Sequence, residues 1–277
     1  MIPEPQRTFL LELLVALGAA ADGFVLVGGQ ALRFMIAKPR PTRDFDFVLD
    51  IALLQQTDVS VASILASLGY VPVENARNFH FEKQIPNSLE IMRIELMAPA
   101  ELVRKDGIRV DVQEGIHGRA CVGGSIVVVE TSEHEVTGSL PDGKKAKARI
   151  QVTQPHALVM LKLLAIDERY RNLRGAAHLD HDRQEARTHA DDIVAVVTAQ
   201  PNLEEFRTRF AEQFVRDDDL KKRTYDIIQT YFGDENKPGV TLYRESLAAN
   251  LPEGETVREL TGELRRAQRL ISSLMTC

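Results

Sequence analysis

Val25-Leu26-Val27-Gly28-Gly29-Gln30-Ala31-Leu32, followed shortly by Arg40-Pro41-Thr42-Arg43-Asp44-Phe45-Asp46-Phe47, is the stretch that orders the whole chain. Phe24 to Val27 predicts a short apolar strand ended by two glycines. Gln30 to Ala37 predicts a short helix, closed by the turn-forming Lys38-Pro39-Arg40-Pro41. Without side chains, Gly28 and Gly29 let a phosphate approach backbone N–H groups and the positive end of a helix dipole. From Asp44 to Asp50 acidic and apolar residues alternate, a strand of period two, so Asp44 and Asp46 share one face. Two carboxylates that close repel each other unless a cation or a basic group neutralises them. Hard oxygen ligands suit Mg²⁺ held jointly with substrate phosphates, the arrangement that phosphoryl transfer needs. A Gly-Gly turn or an acidic strand alone would be bland. Their order, each flanked by apolar strand residues, points to chemistry.

Outward from that centre, Gln6 to Ala21 and Leu53 to Leu68 have helical spacing, the second stopped by Gly69. Phe79 to Lys83, Leu89 to Met97, Ile108 to Val112, Ser125 to Glu130 and Lys145 to Val152 predict strands. Pro141-Asp142-Gly143 predicts a hairpin turn between the last two. After Gln154-Pro155 the chain turns helical, through Ala157 to Ile166, Ile193 to Val197 and charged helices near Phe206, Leu220 and Leu260. The expected organisation is a mixed α/β domain over residues 1–152 and a helical domain over residues 153–277.

Composition narrows the function. The 277 residues carry 34 basic and 40 acidic side chains, a formal charge of -6, which disfavours a whole-surface nucleic-acid glove but leaves room for a local basic patch. Two cysteines, Cys121 and Cys277, make neither a disulfide framework nor a metal-ligand spacing, as in a reducing compartment. Two prolines lie in Met1 to Arg7, and Glu12 interrupts the apolar run Phe9 to Ala21. No export signal or membrane span is expected, and a soluble, cytoplasmic protein is.

The Gly-Gly followed by Asp-apolar-Asp-apolar resembles the polymerase-β-like nucleotidyltransferase superfamily. Gly28-Gly29-Gln30-Ala31-Leu32 with Arg40-Pro41-Thr42-Arg43-Asp44 looks most like its AbiEii/AbiGii-type abortive-infection toxins. The Leu158 to Arg169 helix, with Lys162, and Ala190-Asp191-Asp192-Ile193 are similar to later motifs of that family. The resemblance covers most of residues 20–200. It implies an α+β fold: a nucleotidyltransferase palm, with a mixed sheet flanked by helices, followed by a helical domain. It also implies a metal-dependent enzyme that transfers NMP from an NTP to a hydroxyl, with pyrophosphate leaving. Asp44, Asp46 and a third carboxylate would hold Mg²⁺ or Mn²⁺. Gly28, Gly29 and Arg43 would bind nucleotide, and Lys162 would meet the triphosphate. Asp192 would orient that lysine or the nucleotide, with Asp191 as a competitor. The acceptor would be RNA, especially a tRNA 3′ end, or a protein side chain, and an antitoxin protein is an expected partner.

Two residues compete for the third carboxylate. Glu95 in Arg93-Ile94-Glu95-Leu96 is preferred, and Asp111 in Arg109-Val110-Asp111-Val112 is an equally good alternating strand. Other readings stay open. His178, His181-Asp182, His189 and Asp191-Asp192, with His156 upstream, have the ingredients of a metal phosphohydrolase dyad. Lys144, Lys145, Lys147 and Arg149, together with Arg33, Lys38, Arg40, Arg43, Arg169, Arg171 and Arg174, offer a track for a polyanion such as tRNA. Two rival functions are a small-molecule, resistance-type nucleotidyltransferase and a non-catalytic nucleotide-binding module. Retention of both Asp44 and Asp46 argues against the second.

Overall fold

The computed structural model describes residues 2–74, 76, 78–86, 88–103, 109–171, 178–249 and 260–276. The chain divides into two compact units, Met1–Gln154 and Pro155–Cys277.

The first unit is built on a mixed sheet. Its strands are β1 (Phe24–Val27), β2 (Asp44–Leu49), β3 (Val71–Pro72), β4 (His80–Gln84), β5 (Ile91–Pro99), β6 (Arg109–Gln113), β7 (Ile116–Cys121), β8 (Thr131–Ser139) and β9 (Lys145–Thr153). They lie in the order β3-β4-β5-β2-β1-β9-β8, with β7 beside the end of β5 and β6 outside β7. β1 runs antiparallel to β2 and parallel to β9, and β2 runs parallel to β5. All four residues of β1 are buried, as a central strand covered on both faces requires. The helices are α1 (Gln6–Leu17), α2 (Gly28–Ala31), α3 (Ile51–Leu54), α4 (Val61–Ser67) and α5 (Gly124–Val127). α1 lies against β8 and β9 and buries Phe9, Leu10, Leu13, Leu14 and Leu17.

Several elements depart from the sequence reading for local reasons. The helix expected over Leu53 to Leu68 is two, because Asp50 and Ser60 each cap a separate start by accepting from the N–H groups of Leu53 and Ser63. The strand expected over Ser125 to Glu130 is a helical turn. Gly123 opens it at φ 78°, and Gly124 sits so close to Pro99 that a Cβ would lie 2.8 Å from Pro99 Cα. The partner of β9 is therefore β8, paired from Thr131↔Thr153 to Ser139↔Lys145, and Pro141-Asp142-Gly143 does close that hairpin. β7 has no clean alternation to announce it. It exists because Gly118 lets it press against β5, where a Cβ would stand 2.6 Å from that of Ala98. α2 begins already at Gly28 and passes into a 3-10 turn over Leu32–Phe34, short of Ala37.

The second unit is helical: α6 (Pro155–Arg171), α7 (Leu179–Thr198), α8 (Leu203–Glu212), α9 (Asp218–Phe232), α10 (Pro238–Ala249) and α11 (Leu260–Ser272). Asn202 and Asp217 cap α8 and α9 through their side chains. Within this unit α7 packs on α6 and α10, and Ile193, Val196 and Val197 are buried on it. Among the described residues no helix is long and apolar enough to cross a membrane.

Candidate active site

The two halves of the decisive stretch meet at one point. β1 and β2 pair antiparallel with Val27 opposite Asp46, which sets the Asp46 carboxylate against the next residue of β1's chain, Gly28. Gly28 has φ 65°, and a Cβ there would lie 1.8 Å from Asp46 Oδ2. Only glycine leaves that space, and only glycine takes that backbone without strain. Gly29 has the same relation to the loop before β2: its Cβ would stand 2.9 Å from Thr42 Cγ2 and 3.0 Å from Arg40 Nη2. Gln30 completes the joint. Fully buried, it donates through Nε2 to the Thr42 carbonyl at 3.1 Å and accepts at Oε1 from Arg33 Nε at 3.0 Å. Sequence reasoning assigned Gln30 no role. Its signal was an amide in the first turn of an otherwise apolar, buried helix.

The sheet register then gathers a row of charged side chains. Parallel pairing sets Asp44 beside Arg93 and Asp46 beside Glu95, and antiparallel pairing sets His80 of β4 beside Glu95. Partners in register share a face, so Asp44, Asp46, Glu95, Arg93 and His80 all lie on one side of the sheet. Phe45 and Phe47 point the other way and are fully buried, the ring of Phe47 edge-on to Phe24 at 5.5 Å. Glu95 is gripped at both oxygens: Arg119 Nε of β7 donates to Oε1, and His80 Nε2 lies 3.2 Å from Oε2. Burial alone would raise the Glu95 carboxyl, but the Arg119 guanidinium and His80 outweigh it and hold it down at about 2. Asp111 is elsewhere. It pairs with His117, Oδ1 to Nδ1 at 3.1 Å, on β6, beyond β5 and β7 and so about 14 Å of strand spacing from β2. The sheet brings Glu95, not Asp111, to the aspartate pair.

Asp44 and Asp46 offer hard oxygen donors suited to a divalent cation that draws its remaining ligands from phosphates. Glu95 accepts from Arg119 at Oε1, with His80 Nε2 near Oε2. Among the described residues no group of three His, Cys, Asp or Glu side chains is arranged to hold a metal. Arg43, just before β2, lies with Nη2 2.7 Å from Glu90 Oε1 and lines an open cavity of about 340 Å³ with Arg33, Pro41 and Thr42.

In the second unit, Lys162 of α6 and Asp192 of α7 form an ion pair of 2.8 Å, with His189 Nδ1 3.5 Å from the same Nζ. Lys162 is 7% exposed and Asp192 2%, so this lysine does not reach out to water. The histidine and acid run that suggested a phosphohydrolase is strung along α7, with Asp182 and Asp192 about 15 Å apart on the helix axis. Three of the four basic residues of the β8–β9 hairpin are matched by acids: Lys147 with Glu135 at 3.2 Å, Arg149 with Glu133 at 3.2 Å, and Lys144 with Asp142 at 2.8 Å; Lys145 donates to Ser139 Oγ at 3.0 Å. Arg171 is bound to buried Asp167 at 2.6 Å. Arg174, Ile108 and Cys277 lie outside the described residues.

A family model described as "Nucleotidyl transferase AbiEii toxin, Type IV TA system" matches residues 12–270. The chain belongs to the AbiEii nucleotidyltransferase toxin family. The match extends past the resemblance read from the motifs and takes in most of the helical unit. The first unit, a mixed sheet flanked by helices, is this family's nucleotidyltransferase palm, and the helical unit follows it. No curated protein matches the chain. Two solved structures are similar over nearly the whole chain. JHP933 from Helicobacter pylori is 14% identical, over 100% of this chain and 95% of that one, with a TM-score of 0.39. A second H. pylori structure, described as that of a "putative nucleotidyltransferase", is 14% identical over 99% of this chain and 98% of that one, with a TM-score of 0.40. Likenesses this distant assign nothing further.

Proposed function

We propose that this AbiEii-family toxin transfers NMP from an NTP to a hydroxyl of a macromolecular acceptor, with a tRNA 3′ end as the first candidate and a protein side chain as the second. The observation that carries the reading is the Asp46 carboxylate seated on Gly28, with Asp44 on the same face and Glu95 alongside. Asp44 and Asp46 would hold Mg²⁺ or Mn²⁺, which would supply positive charge to lower the acceptor hydroxyl's pKa and to offset the triphosphate.

The chain's own groups do the rest. Backbone N–H groups at Gly28 and Gly29, with Arg43, fix the nucleotide phosphates. Gln30 keeps the 40–43 loop at the correct distance from them. Lys162 offsets charge that develops as the bond to pyrophosphate breaks. Asp192 holds that ammonium in place in a buried setting. Membership in a type IV toxin–antitoxin family implies a cognate antitoxin.

The test is incubation of the protein with each labelled NTP, total RNA and Mg²⁺. Label in a tRNA-sized species supports the first candidate, and label in a polypeptide supports the second. Label only in small molecules favours the resistance-type reading. No consumption of any NTP would overturn the proposal in favour of a non-catalytic module.

A further inference from the structure

We propose that Thr153 is a further nucleotide-binding residue, whose hydroxyl donates a hydrogen bond to a phosphate oxygen of the NTP seated at Gly28. The proposal deepens the nucleotidyltransfer reading and rests on it. No motif assigned Thr153, and sequence reasoning ended its strand one residue short, at Val152.

The sheet register places it. β1 and β9 run parallel, with Val25 beside Gln151 and Leu26 beside Val152. One step further, the last residues of the two strands, Val27 and Thr153, stand side by side, at the end where Gly28 follows. On its other side Val27 is opposite Asp46. Thr153, Val27 and Asp46 therefore form one row across three neighbouring strands, with their side chains on the face that carries Asp44. The row is two strand spacings long, about 10 Å from Thr153 to Asp46. It lies at the carboxyl ends of two parallel strands, where open α/β sheets receive their ligands. All of these residues belong to the first unit.

Thr153 is 1% exposed, and among the described residues its Oγ1 has no hydrogen-bond partner. Val25 and Val27, its companions on that face of β1, are buried and apolar. A valine at 153 would fill nearly the same volume, suit a strand as well and leave nothing unsatisfied. Threonine instead carries the desolvation cost of a buried hydroxyl with nothing to bond, a group that calls for a partner. A phosphate held at Gly28 is that partner. The hydroxyl has one proton to give, and a phosphate oxygen accepts it as a charge-assisted bond, strengthened where water is kept away.

Thr153→Val separates this role from that of a purely structural threonine. Isothermal titration of the intact protein with each NTP in Mg²⁺, and with inorganic tripolyphosphate, reads the contact, and thermal unfolding without ligand reads the fold. The valine variant should melt no lower than wild type, because it loses no bond within the protein. It should bind both the preferred NTP and tripolyphosphate roughly tenfold or more weakly, as expected for losing a hydrogen bond to a charged group. Thr153→Ser, which keeps the hydroxyl, should bind as wild type does. If the valine variant does not fold by circular dichroism, Thr153→Ala takes its place against Thr153→Ser, a pair that differs by the one oxygen. A loss confined to the NTP would move the contact to sugar or base and overturn the phosphate assignment. If wild type and Thr153→Val bind every NTP equally, Thr153 is structural and the proposal fails, while the nucleotidyltransfer reading stands. If wild type itself binds no NTP, that reading fails and the proposal falls with it.

Discussion

At Gly28 a single hydrogen in place of a side chain decides whether Asp46 can stand where it does. Gly28→Ala would place a methyl 1.8 Å from Asp46 Oδ2 and force an L-residue to φ 65°. The backbone strain alone costs about 1–3 kcal/mol. The variant should melt well below wild type and lose nucleotidyl transfer. Adding Asp46→Ala should recover part of the melting temperature without any activity, because it removes the atom being struck. Calorimetry and the transfer assay together check this, and equal melting of the single and double variants would count against the contact. Lys162 tests the same logic in a buried pair. Lys162→Ala leaves the Asp192 carboxylate buried without its cation, which costs about 3–5 kcal/mol. It should also lower turnover by roughly 10²-fold or more if the ammonium offsets transition-state charge. Lys162→Met/Asp192→Leu should restore stability and not turnover. A double variant with near-wild-type turnover would show that the pair only holds α6 to α7.

Between elements, strand order is what chooses among like residues. Glu95 and Asp111 sit in near-identical alternating strands, yet β5 lies against β2 while β6 lies outside β7. Glu95→Gln should therefore lower Mg²⁺-dependent transfer far more than Asp111→Asn, measured as kcat/KM over a Mg²⁺ series, and the reverse ranking would sink the assignment. In the helical unit, Asp167 accepts from Arg171 one turn along α6 and is tied to α9 by the Tyr231 hydroxyl, which donates to it at 3.3 Å. Burial first, and Asp167 second, push the Tyr231 phenol up to about 12. A raised value means that the folded state keeps the proton. Its contribution to stability is whole below the ordinary tyrosine value of about 10 and is lost as pH rises through about 12. Tyr231→Phe should cost about 1 kcal/mol at neutral pH and flatten the alkaline loss of stability across that window, followed by denaturant unfolding at each pH. An unchanged alkaline slope would mean that another group carries it.

Taken whole, an acidic chain of formal charge -6 has to meet any polyanionic acceptor through a few groups rather than a coat of charge. In the β8–β9 hairpin Lys144, Lys147 and Arg149 are paired with acids, which leaves no extended basic track there. Transfer to RNA should therefore depend shallowly on salt. Between about 50 and 200 mM, kcat/KM should fall by less than roughly tenfold, where a protein making six to ten phosphate contacts would lose about 10³-fold or more. A steep slope would relocate acceptor binding to basic residues outside this hairpin.

The residue alternation at Asp44 to Phe47, the Gly-Gly stop and the helical character after Pro155 were legible in the sequence. Each is a local periodicity or a local stereochemical demand, carried by neighbours a few residues apart. The family was legible for the same reason, since its motifs are short and contiguous. Tertiary structure alone decided that Gly28 makes room for Asp46, that Glu95 rather than Asp111 stands beside it, and that Arg119 and His80 hold Glu95. It also decided that β8, not residues 125–130, completes the hairpin. Those outcomes depend on which strands become neighbours and in what register. Pairing of that kind is fixed by burial summed over the whole sheet, and no window of the sequence contains it.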